Sequence, residues 1–149
     1  MPKAEFDLHT TAPPERVHAA LIDFSDRRPE VWPGLSREQF KVHELGDTWA
    51  IVQEGNLKPI KVWAKERYDW SQPGVVSWIV EESNFAQPGK GVSARLTRAS
   101  DGGTDIHITW EREGMNLFHK VMIRIMAATG AKPVAASFRK ALDKLENES

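Results

Sequence analysis

The feature that most constrains the fold of this chain is an alternation of apolar and polar side chains with a period of two, from about residue 38 to residue 113. The alternation predicts six strands, near 38–45, 48–55, 59–70, 75–83, 91–99 and 104–113. The connecting segments are short and rich in turn residues, such as "SQPG" at 71–74 and "SDGG" at 100–103. Because parallel neighbours need long crossover connections, these turns predict an antiparallel meander.

A further short strand and two short helices are expected before the meander. Residues 3–11 alternate as a strand does, and "APPERVHAALIDF" then begins with prolines suited to the first turn of a helix. A second short helix or turn is expected to end near Trp32, with Pro33-Gly34 as a stop signal.

Helical periodicity returns after the meander, over residues 115–146. Gly130 and Pro133 interrupt it, which predicts a kink or a brief break. The side chains expected to face the sheet are Leu117, Phe118, Val121, Met122 and Ile125 before the interruption, and Val134, Phe138, Ala141, Leu142 and Leu145 after it. The predicted fold class is therefore α+β, with a seven-stranded curved antiparallel sheet wrapped around a long C-terminal helix, in one domain spanning 1–149.

The totals exclude several classes of function. A net charge of −1, from 20 basic and 21 acidic residues, is not typical of a nucleic-acid-binding protein. The chain contains no cysteine, so disulfides and thiolate chemistry are excluded, and the five histidines lack metal-ligand spacing. No signal peptide or membrane span is evident, so we expect a cytoplasmic protein, as a monomer or homodimer, with no metal, no cofactor and no stable membrane insertion.

A pocket between the sheet and the C-terminal helix is the strongest candidate site. The chain has six tryptophans, and those in the inward rows of the strands are expected to line it with other strand residues, with core packing as the alternative role for each of them. The candidate ligand-binding residues are Trp49, Glu66, Tyr68, Trp78, Trp110, Phe118 and Met122.

Glu66 is the one charged residue that the alternation of "VWAKERYDW", residues 62–70, directs into this pocket. Burial would raise the pKa of its carboxyl, and with Tyr68 two positions away it is a candidate catalytic group. The other interpretation is structural, with Glu66 paired to an arginine, for which Arg98 and Arg112 are the candidates.

The order of elements resembles the helix-grip fold of the START-like, or SRPBCC, superfamily. The segments "APPERVHAALIDFSDRRPEVWPG" and "ERYDWSQPGVVSW" resemble its opening helices and its central hairpin. The matching positions are Pro14, Val17, Leu21, Asp23, Phe24, Trp32, Pro33, Asp69, Pro73 and Trp78, and His18 departs from the family's larger aromatic.

The resemblance implies a cavity that binds a hydrophobic small molecule, such as a lipid, a polyketide or an isoprenoid-like compound. The alternative that it implies is a polyketide cyclase or dehydratase-like enzyme using polar residues of the same cavity. No catalytic set of those enzymes can be matched to this chain residue by residue. A third possibility, a protein-interaction module, would require an exposed apolar patch.

Overall fold

The alternating segments form the strands of one antiparallel sheet. A computed structural model describes residues 3–32, 35–57 and 61–148 of the chain. The strands are β1 (Lys3–Thr10), β2 (Lys41–Leu45), β3 (Trp49–Asn56), β4 (Val62–Asp69), β5 (Val75–Ser83), β6 (Gly91–Arg98) and β7 (Thr104–Glu111). Their order is β1-β7-β6-β5-β4-β3-β2, so the meander is confirmed, and β1 adds to its far edge.

The helices occupy the predicted places. They are α1 (Pro14–Leu21), α2 (Arg28–Val31), α3 (Leu117–Ala128) and α4 (Lys132–Asn147), with a 3-10 turn at Arg37–Gln39. The predicted stop at Pro33-Gly34 and the first residues of the strand predicted at 59–70 lie outside the described residues. None of the helices described here has the length and apolarity needed to cross a bilayer.

The predicted interruption of the C-terminal helix is a complete break between α3 and α4. Gly130 and Ala131 adopt left-handed backbone conformations, with φ of 69° and 57°. Such a conformation ends a helix readily at glycine, and Pro133 then lies in the first turn of α4, where it displaces no helical hydrogen bond. The two helices can therefore take different directions across the sheet.

The main core lies between the concave face of the sheet and α4. On β5 and β7 the side chains that face this core include Val76, Ile106 and Ile108, which are almost fully buried. The predicted stripe of α4 is confirmed, with Phe138, Ala141, Leu142 and Leu145 buried against them.

The predicted orientation of α3 is wrong. Leu117, Phe118, Val121 and Ile125 are exposed, with Phe118 at 56% of its full accessibility, whereas Ile123 is 4% exposed. The helix contains two apolar stripes, and the sequence pattern cannot decide between them. Gly114 comes close to the backbone of His119 and Lys120, so the loop that enters α3 packs tightly against the first turn of the helix.

Candidate functional site

The cavity of this protein lies between the concave face of the sheet, α2 and the first turns of α4. It has two adjoining lobes, of about 270 Å³ and about 310 Å³. The first lies towards β3 and β4, and the second towards β7 and α3. The side chains shared by the walls of both lobes are Trp32, Asn56, Trp78, Arg112, Ser137 and Phe138. A space of this size, walled by several aromatic rings, is typical of a small-molecule site.

Four of the seven predicted ligand-binding residues lie on the cavity wall. Glu66 and Tyr68 line the first lobe, Trp110 lines the second, and Trp78 lines both. All four are buried, as the alternation predicts. Their contact with a ligand remains a prediction.

The placement of Trp49 in the cavity is wrong. In the β3–β4 register, Ala50 lies opposite Tyr68 and Val52 opposite Glu66, so the even-numbered residues of β3 face inward. Trp49 lies on the convex face, where the Arg67 guanidinium is 4.7 Å from its ring centre. The segment "WAIV" is apolar at every position, so alternation alone cannot fix which face is buried.

Phe118 and Met122 also lie away from the cavity. Phe118 projects from the exposed side of α3, and Met122 is half-buried beside it without lining either lobe. The methionine that α3 does contribute is Met126, one turn further along, which lines the second lobe. The two predictions are wrong because they assumed that the exposed stripe of α3 faces the sheet.

Aromatic side chains form a connected wall around the cavity. The rings of Tyr68 and Trp78 stack with centres 5.2 Å apart, and Trp78 stacks on Phe138 at 6.3 Å. Trp32 meets Phe138 edge-on at 5.2 Å. This wall offers flat apolar surfaces on which a ring-containing molecule can stack.

A buried polar network joins α2 to β3 and β4. Arg28 donates from Nε to Glu54 Oε2 over 2.6 Å and from Nη2 to the Tyr68 hydroxyl over 3.0 Å. Its Nη1 donates to the carbonyl oxygens of Leu21 and Asp23, at 3.0 and 3.1 Å. The Tyr68 hydroxyl in turn donates to Glu54. Arg28 therefore donates four hydrogen bonds within the protein, and the Tyr68 hydroxyl both accepts one and donates one.

The electrostatics of this network hold Tyr68 neutral and Arg28 charged. Burial raises the pKa of the Tyr68 hydroxyl well above its usual value, and the neighbouring Glu54 carboxylate raises it further. Burial lowers the pKa of Arg28, but the Glu54 carboxylate more than compensates, so the pKa of the guanidinium is raised. Tyr68 is thus a hydrogen-bonding group rather than a proton donor at neutral pH.

Glu66 is paired with Arg112, one of the two partners predicted for it. Its Oε2 lies 3.0 Å from Arg112 Nη2, and both side chains are almost completely buried. The other candidate, Arg98, instead pairs with Glu15 at the surface. Burial raises the pKa of the Glu66 carboxyl, and the Arg112 guanidinium opposes this without cancelling it.

The Glu66–Arg112 pair is incompletely hydrogen-bonded. Arg112 Nη1 and the indole Nε1 of Trp32 are buried, and neither makes a hydrogen bond with a described residue. Glu66 Oε2 is buried as well and faces Arg112 Nη2 at 3.0 Å as its one described partner. All three side chains line the cavity. Buried polar atoms are nearly always satisfied, so two unpaired donors on one cavity wall indicate a place where a ligand group or water can bind.

Sequence reasoning missed Arg28 and Glu54. Glu54 lies on the same inward face of β3 as Ala50 and Val52, so a correct assignment of that face would have identified it. Arg28 lies in a short helix whose orientation no periodic pattern reports. Among the residues that the structure describes, no group of three or more His, Cys, Asp or Glu side chains could hold a metal ion.

Comparison with solved structures supports the fold at low sequence identity. The protein TTHA0849 from Thermus thermophilus superimposes with a TM-score of 0.80 at 15% identity, covering 99% of each chain. The Zhui aromatase/cyclase from Streptomyces sp. R1128 gives 0.78 at 14% identity, covering 97% of this chain and 93% of its own. A START superfamily protein from Mycobacterium smegmatis gives 0.77 at 8% identity, covering 96% and 98%.

These likenesses, with the sheet and helices described above, show a START-like, or SRPBCC-like, helix-grip fold. No protein-family model and no curated protein sequence matches the chain. At sequence identities this low, the comparison shows the fold and gives no information about the ligand.

Proposed function

We propose that this protein binds a hydrophobic small molecule in the cavity between the sheet and α4. The observation that supports this best is the wall itself, in which aromatic rings enclose two adjoining lobes with a few buried polar groups among them. Apolar burial would supply most of the affinity, and the polar groups would orient the ligand. A polyketide, isoprenoid-like or lipid molecule fits this description.

The experiment is a comparison of two tryptophan variants. Trp78→Leu removes a ring that lines both lobes, whereas Trp49→Leu removes one from the convex face. Apolar molecules extracted from protein purified from its host would be identified by mass spectrometry and returned to each variant in calorimetric titrations. We expect weaker binding only in Trp78→Leu. Equal binding by both variants, or no binding by any variant, would contradict the proposal.

The second candidate is a polyketide cyclase or dehydratase-like activity in the same cavity. One observation favours it, since the buried carboxyl of Glu66, whose pKa is raised, lines the first lobe. Tyr68 would act as a positioning residue there, because its hydroxyl is shared between Arg28 and Glu54. If an activity is found and survives both Glu66→Gln and Tyr68→Phe, this assignment of residues is refuted.

A further inference from the structure

The positive and negative charges on the wall of the first lobe balance each other. Arg28 is paired with Glu54 at 2.6 Å, and Arg112 is paired with Glu66 at 3.0 Å. All four line the first lobe, and each cation has one carboxylate beside it. The described wall of the first lobe therefore carries no net charge to bind an ion.

The cavity wall offers two donors that lack a partner, and one carboxylate oxygen that already faces Arg112 and has a lone pair left to accept. Arg112 Nη1 and Trp32 Nε1 can only donate hydrogen bonds, whereas Glu66 Oε2 can accept one. A hydroxyl group both accepts and donates, and a carbonyl oxygen can accept from either donor. A carboxylate can only accept, and it would meet the carboxylates of Glu66 and Glu54 in the same lobe.

We infer that the cavity selects an uncharged, ring-containing molecule bearing a hydroxyl or carbonyl oxygen, and discriminates against a carboxylate on the same skeleton. This inference rests on the proposed function and narrows its ligand class. Transfer of a carboxylate from water into an apolar cavity is costly unless a free cation receives it, and both wall arginines are already paired. A neutral phenol or ketone loses less hydration free energy when it enters the cavity, and its oxygen can accept hydrogen bonds from the donors that lack a partner.

Probes that share one ring system test the inference. Naphthalene, 2-naphthol and 2-naphthoate would be titrated at pH 7 by calorimetry and by NMR. The corresponding three compounds on an anthracene skeleton extend the series to larger ligands. The Trp32 indole N–H signal, assigned with Trp32→Phe, reports directly on a new hydrogen bond. Glu66→Gln keeps the shape of the wall and removes one negative charge.

We expect 2-naphthol to bind at least about tenfold more tightly than 2-naphthoate, with a shift of the Trp32 indole signal. In Glu66→Gln the difference should shrink, because the carboxylate probe then meets an Arg112 whose charge is no longer compensated. A carboxylate that binds the wild-type protein as tightly as the phenol overturns this inference and leaves the proposed function intact. Failure of all probes on both skeletons also overturns this inference, whereas the proposed function is refuted only if the apolar molecules extracted from the host fail to bind as well.

A second inference comes from α3 and does not depend on the cavity. We call the exposed side chains Leu117, Phe118, Val121 and Ile125 the α3 face. Scattered apolar residues are normal on a protein surface, but four on one side of a single helix form a continuous patch. Such a patch indicates a surface that contacts something other than water.

The charged residues within the segment that contains the α3 face are all of one sign. Residues 115–134 contain no Asp or Glu, although the chain has 21 acidic residues in all. Lys120 and Arg124 are exposed on α3, and Lys132 follows at the start of α4. The local balance is therefore positive, in contrast to the net charge of the whole chain.

We propose that the α3 face docks on the surface of an anionic phospholipid bilayer. A helix with leucine and phenylalanine on one side and lysine and arginine around it can lie in the interface, with its apolar side among the acyl chains and its cations at the headgroups. A second copy of the chain fits less well, because two α3 faces would bring Lys120 and Arg124 of both copies together with no acidic residue of this segment to neutralise them.

Vesicle co-sedimentation tests this proposal with matched variants. The wild-type protein should sediment with vesicles of phosphatidylcholine and phosphatidylglycerol and much less with phosphatidylcholine alone. Phe118→Ser/Ile125→Ser and Lys120→Glu/Arg124→Glu should each lose most of the binding. Ile79→Ser, which alters an exposed apolar residue of β5, should keep it. Absence of binding to anionic vesicles, or equal binding by all variants, overturns the proposal.

Discussion

Replacement of Arg112 by leucine should strongly destabilise this protein, because it leaves the Glu66 carboxylate buried without a partner. The side chains of the pair are 10% and 6% exposed, and their closest N–O distance is 3.0 Å. Removal of one member of such a buried pair typically costs about 3–5 kcal/mol. We expect the lower end of that range at pH 8, since Glu66 lines the cavity and can escape its charge by taking up a proton.

The pH dependence of the loss follows from the pKa of Glu66. In the native protein burial already raises that pKa above the ordinary value of 4.5, and removal of Arg112 removes the main opposing influence. A carboxyl whose pKa is raised on folding holds a proton that the unfolded chain releases, so stability falls as pH rises through the window between the two pKa values. The deficit of Arg112→Leu should therefore be smaller at pH 5 than at pH 8.

Urea unfolding followed by far-UV circular dichroism measures both effects. Arg98→Leu is the matched control, since Arg98 pairs with Glu15 on the surface, where an ion pair contributes less than about 1 kcal/mol. The double variant Glu66→Met/Arg112→Leu should recover most of the loss, because it removes the uncompensated charge. If Arg112→Leu is as stable as Arg98→Leu at pH 8, or its deficit does not change with pH, the reasoning about this pair is wrong.

Three further predictions concern α3, the buried hydroxyl and an exposed histidine. Phe118→Ala should cost less than about 0.5 kcal/mol of unfolding free energy and Ile123→Ala about 2–4 kcal/mol, as measured by urea unfolding, because only Ile123 is buried. Tyr68→Phe should cost about 1–3 kcal/mol, because it leaves the partly buried carboxylate of Glu54 and the buried guanidinium of Arg28 each short of one hydrogen bond. The pKa of His9 should lie above 6.5 in an NMR titration, chiefly through its hydrogen bond to Asp105, and fall in Asp105→Asn. The stability that His9 adds is then present below pH 6.5 and lost as pH rises through its folded pKa.

The parts of the fold that the sequence predicted are those in which one face of an element is clearly polar. In β4, charged residues such as Lys65 and Arg67 alternate with apolar ones, so the buried face follows directly and Glu66 is identified as an inward carboxylate. In β3, Trp49 and Ala50 begin a run with no polar residue, so the pattern allows either face of the strand to be the buried one. The phase of β3 is fixed by its register with β4, which is a long-range property.

The error on α3 has a similar origin but a different physical cause. The more apolar stripe was expected to be buried, and the structure places it on the surface. The rotation of α3 about its axis depends on contacts with other elements, among them the close approach of Gly114 to His119 and Lys120, and the pattern of the helix alone does not report such contacts.

The pairing of Glu66 shows why the candidate site could be predicted only in part. β7 is separated from β4 by β5 and β6 in the sheet, so no cross-strand rule brings Arg112 to Glu66. The chain after β7 is held against the end of β5 by a bridge between Ala86 and Gly114, and the curvature of the sheet carries Arg112 over the concave face. The alternation could therefore place the carboxylate, but its neutralisation depends on a contact between distant strands. Since that contact decides whether the cavity wall carries an uncompensated charge, the ligand class that we propose depends on the tertiary structure and not on the strand pattern.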